Sequence, residues 1–225
     1  MRRFVYIAGL LLVLCVVAVS FLKYADLKCD ENSSINCKRA EDILLINPDH
    51  PLPKNYRPEN LVSLYNQKHK HFQLADTDIK IDKTVFEAME AMFTAAQNDG
   101  LQGFIITSGY RTREEQREIF SNTTDRTAAK PGESEHETGL AFDVAVMGNK
   151  NLELTPQFKW LSQHCAEYGF ILRYPKGMED ITGYPYEPWH FRYVGKENAT
   201  IVMGKGITLE QYCKERQKQW ENDDT

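Results

Sequence analysis

Two short segments of this 225-residue sequence each combine an imidazole with a carboxylate. In the first, His136 is followed seven residues later by Asp143, which interrupts the otherwise apolar run Ala141–Val146. In the second, Glu187 precedes His190 by three residues, directly before another apolar run. Burying a carboxylate among apolar residues is costly unless it is paired, hydrogen-bonded or bound to a cation. Both segments are therefore candidates for a metal site.

Two imidazoles and one carboxylate form a suitable set of three ligands for Zn²⁺, and we predict that His136, Asp143 and His190 bind it. Three protein ligands leave a fourth position open for water, which distinguishes a catalytic zinc site from a closed structural one. We predict that the remaining carboxylate, Glu187, acts as general base and then general acid in the hydrolysis of an amide.

Each of these residues also has an ordinary interpretation when it is taken alone. Asp143 could pair with Arg111 or Arg173, and Glu187 could be a loop carboxylate. The other histidines of the chain are more often surface or satisfied core residues, and we set them aside: His50, His69, His71 and His164. The combination of both segments favours the metal site.

The elements that position these residues follow from periodicity and capping signals. Thr84 with Glu87, and Thr112 with Glu115, predict capping boxes at the starts of two helices, and Thr208 with Gln211 caps a last helix. A further helix begins at Pro156. Short apolar runs predict strands over 103–107, 141–146, 170–172 and 191–194.

The later strands lie close together in the sequence, with turn-like connections. We therefore predict an α+β fold, a single domain with a small antiparallel sheet flanked by helices and the zinc site on the sheet face. A doubly wound parallel sheet is disfavoured. The stretch from Ile43 to Leu64 contains several prolines and is typical of an extended arm.

Composition and charge restrict the partners. The 42% apolar and 26% charged content is typical of a globular protein, and the net charge of −5 without a basic cluster argues against nucleic acid. The apolar run after Arg2 and Arg3 predicts that residues 1–22 are a signal peptide or signal anchor, with an uncleaved anchor favoured. Residues 23–41 are polar and predict a linker, so the domain spans 42–225.

Four cysteines follow the apolar N-terminal run, where an oxidising medium would permit disulfides. Cys29 and Cys37 would close a short polar loop. Cys165 and Cys213 fall on predicted helices and are equally consistent with buried thiols. None of them has the CxxC spacing of a zinc or redox site.

Three segments together resemble the ordered motifs of the VanY-type D-alanyl-D-alanine carboxypeptidases. They are Ser108-Gly109-Tyr110-Arg111, Ser134-x-His136-x-x-Gly139-x-Ala141-x-Asp143 and Glu187-Pro188-Trp189-His190. The resemblance extends over about 43–212, because the arm with Leu52-Pro53 and Tyr56-x-Pro58, and the segment Arg173-Tyr174-Pro175, also match the family pattern. It implies the same zinc ligands and the same catalytic base.

The resemblance also implies further site residues. Arg111 is expected at the edge of the site, where a guanidinium can hold a carboxylate or a developing oxyanion. Gln116, Ser134 and Tyr174 are expected to contact the peptide and its terminal carboxylate, although each is equally consistent with a structural role. Trp189 is expected to form a wall beside the metal.

The expected function is removal of the C-terminal D-alanine from peptidoglycan stem peptides by a zinc-dependent, monomeric enzyme that faces the cell wall and touches the membrane only through its N-terminal segment. Relatives with these motifs also remove D-Ala after L-Lys, which leaves an L,D-carboxypeptidase as an alternative. A zinc-holding wall-binding module without activity, as in hedgehog-type domains, and an endopeptidase that cuts within crosslinks are two others.

Overall fold

In a computed structural model, the structure describes residues 43–123 and 128–223, and these residues fold as an α+β domain. The predicted fold class is confirmed. The strands are β1 (Leu61–Ser63), β2 (Phe72–Leu74), β3 (Lys80–Asp82), β4 (Phe104–Ser108), β5 (Ala141–Val146), β6 (Phe170–Leu172) and β7 (His190–Tyr193). The helices are α1 (Lys83–Asn98), α2 (Arg113–Asn122), α3 (Pro156–His164), α4 (Glu179–Thr182), α5 (Lys196–Lys205) and α6 (Leu209–Asp223).

A five-stranded sheet in the order β2-β4-β5-β7-β6 forms the centre of the domain. Its pairs are antiparallel except at one edge, where β2 runs parallel to β4. Sequence analysis did not predict β2, nor the separate two-stranded ribbon of β1 and β3. Each of these strands has only three residues, which is too short for an alternating pattern to be recognised.

Helix α1 packs against one face of the sheet and contributes five residues to the main core. Its buried residues Val85, Met89, Met92, Phe93 and Ala96 recur at helical spacing. The ring of Phe93 lies 4.9 Å from that of Phe104 on β4 and 6.1 Å from that of Phe142 on β5. Side chains alternate between the faces of a strand, so Asp143, next to Phe142, points to the opposite face.

The helix starts agree with the predicted capping signals in two cases out of three. Thr112 and Glu115 form the full capping box at α2, and Thr208 and Gln211 exchange hydrogen bonds before α6. The prediction that Thr84 caps α1 is wrong, because the cap is Asp82, two residues earlier, whose side chain accepts the hydrogen bond from the Thr84 amide at 2.7 Å. An aspartate at the end of β3 satisfies that donor directly.

The first part of the predicted arm, residues 43–52, lies beside β6 at one edge of the sheet and is called the arm from here on. Its residue Leu45 belongs to a second, smaller core with Ile171 of β6 and apolar residues of α5 and α6. The amide of Leu52 donates to the carbonyl of Gly132 at 2.8 Å, in the loop that leads to His136. The arm is therefore connected to the segment that carries the first predicted ligand.

Cys165 and Cys213 are both buried, and Cys165 is a free thiol, consistent with one of the two interpretations of the sequence. Burial raises the pKa of the Cys165 thiol to about 12. The predicted signal segment and linker, with Cys29 and Cys37, lie outside the described residues. Within the described part of the chain, no helix is long and apolar enough to cross a membrane.

Candidate metal centre and active site

Adjacent strands bring two of the predicted ligands together. Asp143 on β5 and His190 on β7 are directly paired, and Ser108 of β4 pairs with Asp143 on the other side after a register shift. The neighbouring pair, Phe142 with Phe191, faces the core, which fixes the direction of the polar pair. The sheet therefore holds a carboxylate and an imidazole side by side on its open face.

A tight turn brings the third ligand to the same place. His136 lies in the single-turn 3₁₀ helix Glu135–Thr138, which ends at Gly139 with φ of 73°. A left-handed conformation of this kind is readily adopted by glycine. The carbonyl of Gly109 lies 2.7 Å from His136 Nδ1, so this nitrogen donates and Nε2 faces the site.

The three predicted ligands converge. One ligand atom from each of His136, Asp143 and His190 lies within 4.8 Å of the other two. His136 Nε2 is 3.3 Å from Asp143 Oδ2, and His190 Nδ1 is 3.1 Å from Asp143 Oδ1. Both histidines are at least 97% buried, with exposures of 2% and 3%.

One buried atom indicates that this cluster is built for a cation. Asp143 Oδ1 is buried and lies 3.1 Å from His190 Nδ1, but no well-aligned hydrogen bond reaches it from the described residues. The other ring nitrogen of His190, Nε2, lies 3.3 Å from Glu135 Oε2. A carboxylate oxygen and two imidazole nitrogens that face one another are the donor types of a zinc site.

The two imidazoles differ in their electrostatics. Burial and the nearby charge of Arg111 lower the pKa of His136 to about 4. Burial would also lower the pKa of His190, but the carboxylates of Asp143 and Glu135 outweigh it and raise the pKa to about 9. Burial would raise the pKa of Asp143, but the two histidines hold it well below its ordinary value.

Glu187 lies at the edge of the same cluster, in the turn that precedes β7. Its carboxylate is 3.8 Å from His190 Nδ1, and the turn is closed by a hydrogen bond from the His190 amide to the Glu187 carbonyl at 3.2 Å. Burial raises the pKa of Glu187 above its ordinary value. A raised pKa makes this carboxyl group better suited to accept a proton and then return it than an ordinary solvated glutamate.

Arg111 points into the cluster from the end of β4. Burial lowers its pKa, and its Nε has no hydrogen-bond partner among the described residues. Its Nη1 donates to Gln116 Oε1 at 2.8 Å, and Gln116 Nε2 donates to the carbonyl of Ala129 at 2.7 Å. Gln116 is 1% exposed, so it is not the solvated helix residue that one interpretation of the sequence allowed.

A cavity of about 170 Å³ joins these groups. All eight predicted site residues line it, as does Trp189, the predicted wall: Arg111, Gln116, Ser134, His136, Asp143, Tyr174, Glu187 and His190. The ring of Tyr174 lies 4.9 Å from that of His190. Sequence analysis missed the role of Glu135, which also lines the cavity and is fully buried.

The donors around Glu135 explain how a carboxylate is tolerated there. Arg173 and Arg192, both fully buried, donate to Glu135 Oε1 at 2.7 and 2.8 Å. Burial would raise the pKa of Glu135, but these guanidiniums and His190 hold it well below its ordinary value. The sequence signal that could have found this group is Arg192, a charged residue within the apolar strand β7.

Comparisons with known proteins agree with this arrangement. Residues 78–196 match the family model described as VanY, D-alanyl-D-alanine carboxypeptidase. The putative carboxypeptidase YodJ of Bacillus subtilis is 39% identical over 199 residues, which cover 79% of this chain and 69% of YodJ.

Two solved structures are similar to this fold. The LdcB LD-carboxypeptidase, described with its molecular basis of peptidoglycan recognition, is 36% identical with a TM-score of 0.69, and the match covers 83% of this chain and 92% of that chain. A mutant of the vancomycin resistance D,D-pentapeptidase VanY, in complex with Zn(II), is 35% identical with a TM-score of 0.62, covering 75% and 96%.

Proposed function

This chain belongs to the VanY family of D-alanyl-D-alanine carboxypeptidases, and from that premise we propose that it removes the C-terminal D-alanine from peptidoglycan stem peptides in a zinc-dependent reaction. The observation that supports this most directly is the convergence of His136, Asp143 and His190 beside the carboxylate of Glu187. Metal donors and a proton acceptor thus line one cavity.

The donor set fits zinc. His136 Nε2, the Asp143 carboxylate and His190 Nδ1 would hold the ion, and the unpartnered Asp143 Oδ1 is explained by such a ligand role. When bound, zinc supplies Lewis-acid polarisation of the scissile carbonyl and lowers the pKa of water. A solved VanY structure contains Zn(II), which supports the same metal here.

Glu187 is the proposed catalytic base. Its carboxylate accepts a proton from the attacking water and returns it to the nitrogen of the leaving D-alanine. Burial raises its pKa, which makes the second transfer easier than for an ordinary, fully solvated glutamate. A backbone hydrogen bond from the His190 amide to the Glu187 carbonyl closes the turn between them, so the base and one metal ligand are held in the same short segment.

Arg111 is the second proposed catalytic residue. Its guanidinium faces the cavity with a free Nε–H and can stabilise the charge that develops on the scissile carbonyl. Gln116 holds this guanidinium in place through its amide oxygen. We propose that Ser134 and Tyr174, which line the same cavity, contact the peptide and its terminal carboxylate.

We further propose that the domain, residues 42–225, works outside the cytoplasm as a monomer. The apolar N-terminal run, predicted as a signal peptide or anchor over 1–22, would export it and provide its only contact with the membrane. The 23–41 segment would then act as a linker between the membrane segment and the domain. The stem peptide is its proposed partner, in accord with the activity described for the family.

An L,D-carboxypeptidase is the second candidate function. It is favoured by the similarity to the LdcB LD-carboxypeptidase, which has the higher TM-score of the two solved structures described above. The ligands and the base would be the same in both reactions. The difference would lie in which residue before the scissile bond the cleft accepts.

Mass spectrometry of the zinc-loaded soluble domain tests the proposal. One reaction contains a pentapeptide stem ending in D-Ala-D-Ala, and a parallel reaction contains a tetrapeptide stem ending in L-Lys-D-Ala. Loss of one alanine from the pentapeptide alone supports the proposed activity, whereas loss from the tetrapeptide alone replaces it with the L,D activity. Cleavage of neither peptide, with zinc bound, favours a binding module or an endopeptidase.

A matched variant separates binding from turnover. The Glu187→Gln protein keeps all three metal ligands but cannot accept a proton at this position, so it should retain one zinc ion and lose at least about a hundredfold in kcat. Near-normal turnover in this variant would rule out Glu187 as the base.

A further inference from the structure

Glu135 is adjacent to the metal ligand His136 in sequence but contacts the other histidine. Its side chain is 1% exposed, and its Oε2 lies 3.3 Å from His190 Nε2. The remaining oxygen, Oε1, accepts hydrogen bonds from Arg173 and Arg192. Each oxygen of this buried carboxylate therefore has a defined partner.

The surrounding charges keep Glu135 as an acceptor. Arg173 also donates both Nη groups to Glu210, at 2.6 and 3.0 Å. The positive charges of Arg173 and Arg192 are thus matched by the negative charges of Glu135 and Glu210. Neither guanidinium uses the lone pairs of Glu135 Oε2. That oxygen is available to accept a hydrogen bond from His190.

This contact determines which nitrogen of His190 faces Asp143. If Nε2 carries the proton donated to Glu135, Nδ1 presents a lone pair toward Asp143 Oδ1, 3.1 Å away. Apart from this imidazole, no described residue offers that oxygen a hydrogen-bond donor. The arrangement leaves both atoms free to bind the same cation.

We propose that Glu135 is a positioning residue for the metal site: it fixes the tautomer and ring orientation of His190 so that Nδ1 binds the metal. The inference rests on the proposed metal ligand set. Carboxylates that accept from the second nitrogen of a metal-binding histidine raise its basicity and hold its ring, and their loss typically costs about 10–100-fold in metal affinity or activity. Glu135 occupies this position for His190, whereas His136 has only a backbone carbonyl.

Glu210 provides a matched control. It shares Arg173 with Glu135 and also accepts from Asn47 Nδ2 at 3.2 Å. It does not line the site cavity. A change at Glu210 therefore disturbs the same buried charges without removing an acceptor from a metal ligand.

The test compares Glu135→Gln with Glu210→Gln in the full domain. An amide at position 135 can offer its single oxygen either to the guanidiniums or to His190, and its NH₂ group then faces a donor. Zinc affinity, measured by competition with a chromogenic chelator, should fall about 10–100-fold in Glu135→Gln and by less than about threefold in Glu210→Gln. Equal losses in the two variants, or an unchanged affinity in Glu135→Gln, would overturn the proposal.

A measurement on the unaltered protein covers the case in which Glu135→Gln fails to fold. In the zinc-loaded domain labelled with ¹⁵N-histidine, long-range NMR correlations should show His190 protonated at Nε2 and metal-bound at Nδ1. The Nε2 proton should exchange slowly with solvent, because its acceptor is buried. A His190 protonated at Nδ1 would reject the role of Glu135.

The outcomes also separate this inference from the proposed function. If the unaltered domain binds zinc and cuts the pentapeptide while His190 shows the opposite tautomer, only the role of Glu135 fails. If His136→Ala leaves zinc binding unchanged, the ligand set itself is wrong, and both proposals fall.

Discussion

The two histidines of the candidate metal centre are held in different ways. The second nitrogen of His136 donates to a neutral backbone carbonyl, that of Gly109, whereas the second nitrogen of His190 faces the buried carboxylate of Glu135. Burial and the charge of Arg111 lower the pKa of His136 to about 4, whereas the carboxylates of Asp143 and Glu135 outweigh burial and raise the pKa of His190 to about 9. Two equally buried imidazoles, with ring centroids 4.9 Å apart, thus favour opposite protonation states when no metal is bound.

This difference shows how one site can avoid an excess of buried negative charge. When no metal is bound, these pKa values favour a protonated His190 between Asp143 and Glu135 at neutral pH, and a neutral His136 that avoids further repulsion with Arg111. A cation at the centre would take over the role of the His190 proton. We therefore expect that metal binding releases about one proton from this site.

Replacing each histidine by alanine is expected to have the largest effect on stability and tests the difference between the two rings directly. In metal-free protein at pH 7, His190→Ala leaves two buried carboxylates without their shared cation, which should cost about 3–5 kcal/mol. His136→Ala leaves mainly one carbonyl without a donor, which should cost about 1–3 kcal/mol. Urea unfolding in chelator measures both. A more destabilising His136→Ala would contradict the assigned protonation states.

The stability of the metal-free protein should depend on pH in opposite ways through the two histidines. An unfolded histidine titrates near 6.5. For His136, with a folded pKa of about 4, the unfolded state binds more protons between these values, so stability should rise with pH from about 4 to 6.5. For His190, the folded state binds more protons between 6.5 and about 9, so stability is full below 6.5 and is lost as pH rises through 9.

These two histidines therefore predict a stability maximum near pH 6.5, with limbs no steeper than about 1.4 kcal/mol per pH unit for each group. Urea unfolding of the chelated protein across this range should show both limbs. The fall above pH 6.5 should vanish in His190→Ala, and the rise below it should weaken in His136→Ala. A curve that His190→Ala leaves unchanged above pH 6.5 would be incompatible with the charged state of this residue.

A smaller effect is expected from displacing the carbonyl that holds His136. A Cβ at Gly109 would lie 2.3 Å from the Lys80 carbonyl and 2.9 Å from Ile79 Cγ2, and a backbone atom cannot easily yield. Gly109→Ala should cost about 1–3 kcal/mol in stability and lower zinc affinity several-fold. Gly204→Ala is the control, because a Cβ at Gly204 would meet no atom within 4 Å beyond the backbone of its own helix. This change should be neutral or slightly stabilising.

Thermal unfolding and chelator competition on both glycine variants give the two readouts. Unchanged zinc affinity in a destabilised Gly109→Ala protein would mean that the carbonyl does not orient His136.

Sequence patterns singled out part of the candidate site because Asp143 interrupts an apolar run, whereas Gln116, Ser134 and Tyr174 were expected only from the family resemblance. Asp143 is a carboxylate in an apolar strand, and its predicted pairing with His136 and His190 agrees with their convergence. The alternative that Asp143 pairs with Arg173 does not hold, since that guanidinium binds Glu135 and Glu210. The roles assigned to the individual site residues stay predictions until they are tested in solution.

Sequence patterns could not predict some other features of the structure, and the reasons are physical. Arg192 interrupts an apolar strand as Asp143 does, but its partner Glu135 lies 57 residues away, and periodicity carries no information about such pairs. The parallel edge strand β2 has three residues, one of them buried, so its short run gives no alternation to detect. The start of α1 was misplaced because Asp82, which ends β3, also caps the helix.

The arm at residues 43–52 has a consequence for the order in which the chain can mature. The carbonyls of Leu44 and Ile46 accept from Arg192 and Arg173, and Asn47 bonds to Glu210, across 148, 127 and 163 residues. The arm is synthesised well before Glu210, so the buried network of Glu135, Arg173 and Glu210 behind His190 can be completed only after α6 has been made. We therefore expect metal capture to follow the synthesis of α6.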